Sequence, residues 1–538
     1  MSESEESSSY PPIDPVNFDL IIIGTGLSES IIAAAASAVG KTVLHLDPNS
    51  FYGSHFASLS LEEITSYLNS PPKSSTAAAS SSDDSDYAVI NLIHQPLISS
   101  AELISCDSVD QSTFLLENSR KFNLDLGGPR ALFSADKTID LLLKSGAAQY
   151  LEFKGIDTSL VYNASEGLVN VPDSRGAIFR DKKLSLKEKN QLMKFFKLVQ
   201  KHLGGDDEDG RISEEDMESP FVSFLEKTGL PPKIKAILLY AIAMVDFDQE
   251  NSEVCKELLT TKDGIDRLAQ YSSSVGRFPS APGALIYPIY GEGELPQAFC
   301  RRAAVKGGIY VLRMPVISLL MDKVTESYKG VRLASGQDLY SHQLILDPSF
   351  TIPSAQSLSP KGMVARGICI TRSSIKPDVS NCSVVYPPRS LYPDQVASVR
   401  ALQIGSNLAV CPAGTFVLYF STLCNDPDEG KKLLKASMKA LFTLPVSGNT
   451  ETNVQSDSED KKAVVLWSAI YVQKLTMSKF EAISSAPTPD GNLNYNDLID
   501  ATEELFSQMY PNEEFFPKTT SSEDSTDDDD DNGIIMES

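Results

Sequence analysis

The segment FDLIIIGTGLSESIIAAAASAVG, Phe18 to Gly40, confines this chain to a small set of folds. An apolar run ends in Gly24-Thr25-Gly26, an alanine-rich helical run follows, and Gly40 stands where a helix is capped. The next run, KTVLHLD, is short and mostly apolar, as a strand covered on both faces should be. Strand, glycine turn, helix and second strand make the opening unit of a Rossmann-type sheet. In a dinucleotide turn the first glycine makes the bend and the second lets phosphate approach the backbone. The third lets helix and strand pack closely. Gly24 and Gly26 fill the first two roles, but Glu29 stands in the third. A carboxylate there suits the helix dipole and opposes a pyrophosphate. Asp47, at the end of the second strand, either meets a ribose or simply ends the strand. The turn has a dinucleotide-binding shape and a spoiled phosphate site, so loss of the ligand is favoured over a working site.

The rest of the chain divides by pattern. Residues 1–16 read as a disordered lead and 17–125 as the first part of a larger α/β domain, interrupted by a flexible serine-rich insertion at 70–87. Residues 126–245 read as a smaller all-helical domain. Within it the pattern is helical throughout from Leu184 to Met244, broken by Pro231-Pro232, and Ile234 to Met244 is apolar nearly all round. The α/β pattern resumes over 246–515, where SHQLILDPS, ARGICITRS, GTFVLYFST and AVVLWSAIYV read as strands. Residues 516–538 read as an acidic, disordered tail.

A net charge of -25 argues against nucleic acid as partner. Two acidic runs, Gly205 to Ser219 and Ser521 to Asp531, read as solvated acid. The seven cysteines form no C-x-x-C pair and the five histidines are scattered, so reduced thiols in the cytosol and no metal site are expected. Neither a signal peptide nor a membrane-length apolar run nor a prenylation box is present in the sequence. Glu292 and Glu294 read as an acidic helix start rather than an acid–base pair. No other constellation looks catalytic, and an enzyme reading, a flavin-dependent oxidoreductase, rests on the first turn alone.

Three segments carry a resemblance. FDLIIIGTGLSESIIAAAASAVGKTVLHLDPNSFYG, YPIYGEGELPQAFCRRAAVKGGIYVLR and FNLDLGGPRALFS resemble the signatures of the Rab GDP-dissociation inhibitor and Rab escort protein superfamily. The serine-rich insertion, the extended strand region at about 365–475 and ATEELFSQMYPNEEFFP tilt the resemblance toward the plant-type escort branch. It implies a flavoprotein-like larger domain without bound flavin, plus the smaller helical domain. It also implies a non-enzymatic partner of Rab geranylgeranyltransferase. Such a protein binds GDP-bound Rab GTPases, presents them to the transferase heterodimer, and delivers the prenylated product from cytosol to membranes. The inhibitor branch, which recycles mature Rabs, is the alternative.

The resemblance further implies a Rab-facing platform of Tyr52, Arg277, Glu294, Gln297, Arg301, Tyr310 and Val311. Arginine and tyrosine are common interface anchors, whereas Tyr310 and Val311 also suit ordinary strand positions. Leu285, Tyr287, Ile289 and Tyr290 either line a groove for a Rab tail or belong to the core. For the transferase, Phe221 is expected as an exposed anchor with Lys233 beside it. A geranylgeranyl chain costs roughly 0.8 kcal/mol per CH₂ to leave in water. Ile234 to Met244 and Phe195-Phe196 are candidate walls for it, or core.

Overall fold

The computed structural model describes residues 11–69, 87–106, 108–172, 175–204, 211–251, 255, 258–353, 356–357, 362–444, 463–475, 478–479, 483–517 and 535–536. The serine-rich insertion up to residue 86, positions 205–210 of the first acidic run and the whole of the second lie outside the described residues.

One sheet contains β1 (Asn17–Ile23), β2 (Val43–Asp47), β3 (Tyr87–Asn91), β4 (Ile309–Leu312), β5 (Val316–Asp322), β6 (Tyr328–Leu333) and β7 (Asp338–Leu346). Their spatial order is β4-β2-β1-β7-β6-β5-β3. The first four of that order run parallel, with Leu20 opposite Val43 and Ile22 opposite Ile345. The rest are antiparallel. Leu20 to Ile23 are fully buried, which is why the run needs apolar residues on both faces. The helix α1 (Leu27–Ala38) follows β1, and its small residues Ala33 to Ala36 are fully buried against the body. This is the Rossmann-type unit that the opening segment predicts.

A second sheet of nine strands runs in the order 167–170, 158–163, 382–386, 399–405, 416–424, 363–371, 463–474, 442–443, with 98–105 also on 463–474. The helix Pro427–Leu441 covers it through Leu433, Leu434 and Met438. All four later runs read as strands in the sequence are strands.

The expected helical domain at 126–245 needs correction at both ends. Strand 152–155 pairs with 285–288, and 158–163 pairs with 382–386, so 152–170 is sheet-forming, after a helix at Lys137–Ser145. The cause is legible in LEFKGIDTSLVYNASEGLVN, which alternates at period two between turn residues. The helical layer comprises α2 (Leu186–Gly204), α3 (Phe221–Lys227), α4 (Pro232–Ala236) and also α5 (Thr261–Ser274). The Thr260 hydroxyl caps α5 by accepting the Asp263 amide at 3.1 Å. After α4 the chain continues as a π-helix, Ile237–Ile242, fully within the core.

Both ends read as disordered contain residues that pack against the body. Ile13 is buried, and its backbone exchanges two hydrogen bonds with the Gln337 amide at 2.9 and 2.7 Å. At the other end Phe515 and Phe516 pack against Phe506 and Phe299. Ile535–Met536 pairs in parallel with Glu152 and Phe153. Apolar side chains in otherwise polar termini found partners that local composition does not reveal.

Where the sheets meet, charge is buried. Arg130 is 0% exposed, donates to the Asn494 carbonyl at 2.8 Å and the Asp490 carboxylate at 2.5 Å, and lies over the rings of Phe56 and Tyr495. Arg366 donates to Gln473, the Gly128 carbonyl and the Asp490 carbonyl. Asp125 accepts from Ser58, Tyr287 and the Glu292 amide, and burial pushes its carboxyl up to about 6. Glu292 is fully enclosed, and neither carboxyl oxygen has a hydrogen-bond partner among the described residues. Glu292 is therefore a core residue just ahead of the helix that begins at Glu294, which corrects its reading as part of an acidic helix start.

Candidate binding platform beside the glycine turn

The turn after β1 is held from beneath by two aspartates. Asp47, ending β2, accepts the Thr25 amide at 2.9 Å and its hydroxyl at 2.6 Å, and also the Asn49 amide at 2.7 Å. Asp347, just past β7, accepts from Ser54 and Ser349. Gly24 has φ +96°, and a Cβ there would stand 2.5 Å from the Asp347 Cβ, so no other residue fits. His45 bonds the Gly24 carbonyl through Nε2, and burial lowers its pKa to about 4, so it is neutral.

Glu29 folds back over the second glycine. Its Oε2 lies 2.5 Å from where a Cβ on Gly26 would be, and the residue is 3% exposed. Burial, followed by the neighbouring Asp347 and Asp47, raises its pKa well above 4.5. The electrostatic reading of Glu29 needs correction, since burial disfavours a charged form. A neutral acid neither answers the helix dipole by charge nor repels phosphate by charge. It excludes phosphate by filling the volume where phosphate would approach the backbone. The residues of this turn do not fit a dinucleotide.

On the outer side, α6 (Glu294–Val305) packs Leu295, Ala298, Phe299 and Ala303 inward with α1, and Ser30 Oγ lies 3.2 Å from Cys300 Sγ. Glu294, Gln297 and Arg301 fall at i, i+3 and i+7, one face of the helix. Gln297 and Arg301 are exposed and Glu294 half-buried, with its carboxyl raised by burial. The Gln297 amide reaches Glu294 at 3.4 Å, and Arg301 stacks over Tyr150 at 4.6 Å. Beside this helix, Tyr52 meets Tyr310 edge-on at 6.1 Å, and Tyr310 lies 4.6 Å from His45. The Tyr310 hydroxyl is buried, so Tyr310 supports Tyr52 rather than offering its polar end.

The other expected platform residues separate. Val311 pairs with Leu46 and packs partly into the core. Arg277 belongs to a different neighbourhood, donating to the Ser134 carbonyl at 2.7 Å and facing Asp140 at 3.8 Å. Leu285, Tyr287 and Ile289 are core, whereas Tyr290 is 54% exposed.

Phe221 is 0% exposed, which overturns its reading as a surface anchor. α5 passes so close that a Cβ on Gly264 would stand 2.6 Å from the Phe221 ring, so the phenyl is what that glycine accommodates. Lys233 is bound to Glu166 at 3.0 Å and to the Lys183 carbonyl, tying the helical layer to the hairpin 158–170. The exposed apolar side chains of that layer are instead Phe179, Leu186 and Leu203. Phe195 is buried beside Phe196 and Phe224, in one core with the π-helix. Sequence reasoning missed His55 and Asp347, although an aspartate ending a strand of a parallel sheet is a signal it could have used.

A family model described as GDP dissociation inhibitor matches residues 15–117 and 107–474. This chain belongs to the GDP dissociation inhibitor family. Across 94% of its length it is 55% identical to Rab escort protein 1 of Arabidopsis thaliana, covering 95% of that protein. It is 29% identical to the Rab proteins geranylgeranyltransferase component A of Drosophila melanogaster, over 94% of this chain and 90% of that one. The crystal structure of a RAB GDI from Plasmodium falciparum superposes with a TM-score of 0.68 at 19% identity, over 93% of this chain and 99% of that one. That likeness bears on the fold.

Proposed function

We propose that the protein is a Rab escort: it binds GDP-bound Rab GTPases, presents them to Rab geranylgeranyltransferase, and keeps the prenylated product in solution. The observation that carries this reading is the 55% identity to an Arabidopsis Rab escort protein over nearly the whole chain. The chain supplies no chemistry of its own. Its contribution is a surface, and the exposed Gln297 and Arg301 with Tyr52 beside them form the part best suited to gripping a folded partner. The prenyl chain lodges in the helical layer, where α2 and the π-helix would part around Phe195 and Phe196. The protein works from the cytosol and meets membranes only in delivery.

Reconstituted prenylation tests the reading. An unprenylated Rab should be modified by purified transferase only when this protein is added. Absence of stimulation, with binding to prenylated Rab retained, would leave an inhibitor that recycles mature Rabs. Arg301→Ala should weaken Rab·GDP binding by about 1–3 kcal/mol, read by titration, with an unaltered unfolding midpoint. An unchanged titration removes Arg301 from the platform.

A further inference from the structure

Against the glycine turn lies a cavity of about 420 Å³, lined by Gly24, Asp47 and Asp347 among others, within the range of roughly 300–1,000 Å³ that small-molecule sites occupy. Its polar lining includes Asp47, Asn49, His55 and Asp347. His55 is 6% exposed, and neither ring nitrogen has a hydrogen-bond partner among the described residues. Its Nε2 stands 3.6 Å from Asp347, an electrostatic neighbour beyond hydrogen-bond length. A buried, unpartnered imidazole lining a cavity is costly unless something enters to satisfy it. Its apolar lining comes from Leu92, Val316, Ile317 and Phe350, and the His94 ring meets Phe350 at 5.2 Å.

The charge pattern selects the ligand. No Lys or Arg lines this cavity among the described residues, and two aspartates do, so an anion has no counter-charge. Asp47 ends the second strand, where a Rossmann-type fold meets ribose hydroxyls. Its Oδ1 accepts one recorded hydrogen bond, from Asn49, which leaves acceptor capacity for a hydroxyl. A ligand with a flat apolar ring and hydroxyl donors, without phosphate, matches these walls. We propose that this cavity binds an unphosphorylated nucleoside, with its sugar hydroxyls on Asp47 and His55 and its base between Leu92, Val316 and Phe350. The fold has thus closed the phosphate half of an ancestral site with Glu29 and kept the nucleoside half open.

The full chain can be titrated calorimetrically with adenosine, guanosine, cytidine and uridine, and with ADP as the phosphorylated control. At least one nucleoside should saturate a single site, and ADP should bind weaker than adenosine by about tenfold or more. Ile317→Trp, which fills space along the apolar lining, and His55→Phe, which removes the unpartnered nitrogens, should each weaken that binding by about tenfold or more. Two variants are used so that either one retaining the wild-type unfolding midpoint suffices. No saturable nucleoside binding, ADP binding as tightly as adenosine, or undiminished binding by a folded variant would each overturn the proposal. None of these outcomes bears on the prenylation assay, since the cavity is not part of the α6 platform.

Discussion

Replacing Arg130 by methionine is expected to lower the stability of the protein by about 3–5 kcal/mol, the range for breaking a buried ion pair by removing one partner. Methionine keeps much of the aliphatic volume, so the loss isolates the guanidinium. That group joins 130 to 490 and 494 and lies over the rings of Phe56 and Tyr495. Its removal leaves the Asn494 carbonyl without its side-chain donor and the Asp490 carboxylate without its cation, while the Asp490 carbonyl keeps Arg366. Arg130→Lys should recover only part of the loss, because one ammonium cannot reproduce the planar fork. Denaturant unfolding checks both variants. A methionine variant within about 1 kcal/mol of wild type would show that the Asn494 carbonyl and the Asp490 carboxylate find other partners.

The second large effect is in pH. Burial raises the carboxyls of Glu29 and Glu292 well above 4.5, so each stays protonated in the folded state at pH values where the unfolded chain releases that proton. A group raised in this way contributes stability that is fully present below its unfolded pKa and is lost as pH rises towards its folded value. Between about pH 6.5 and 8.5 each group should therefore cost up to about 1.4 kcal/mol per pH unit. His45 acts in the opposite sense, since its lowered pKa of about 4 gives stability that is lost as pH falls below the ordinary histidine value of 6.5. It is silent in the chosen window, and Asp47 and Asp125, raised to about 6, are largely past their own transitions. The expected result is an unfolding midpoint that rises as pH is lowered from 8.5 to 6.5. Glu29→Gln should flatten that slope by one proton and stabilise the protein at pH 7.5. A pH slope identical in wild type and Glu29→Gln would mean that Glu29 is ionised when folded.

Local pattern carried much of the fold. The apolar run before Gly24, the capping glycine at 40 and the mostly apolar KTVLHLD specify strand, helix and strand through constraints that act within a few residues. The helical stretch from Leu184 to Met244 and the four later strand runs are legible for the same reason. The stretch 152–170 was misread although its period-two alternation was present, because the helical pattern beyond it was extended backwards over a turn-rich segment. α5 was assigned to the sheet domain since nothing local says which body a capped helix will cover.

The site was legible in type and not in exposure. Glu294, Gln297 and Arg301 share a helix face by spacing alone, and their outward direction follows from the apolar residues between them. Phe221 shows where this logic ends: an aromatic residue at a helix start reads the same whether it meets solvent or a glycine on a neighbouring helix. Tyr310 is similar, because its hydroxyl is buried by residues far away in the chain.

The sequence by itself determined the class of fold, the broken third position of the glycine turn and the acidic character of the surface, since these depend on residue identity and short-range periodicity. Only the tertiary structure decided that Glu29 is a neutral plug, that Arg130 and Glu292 are core residues, and that a cavity with an unpartnered His55 lies against the turn. Those properties arise from burial and from charges brought together across hundreds of residues, and a carboxyl's proton is set by its surroundings rather than by its place in the chain.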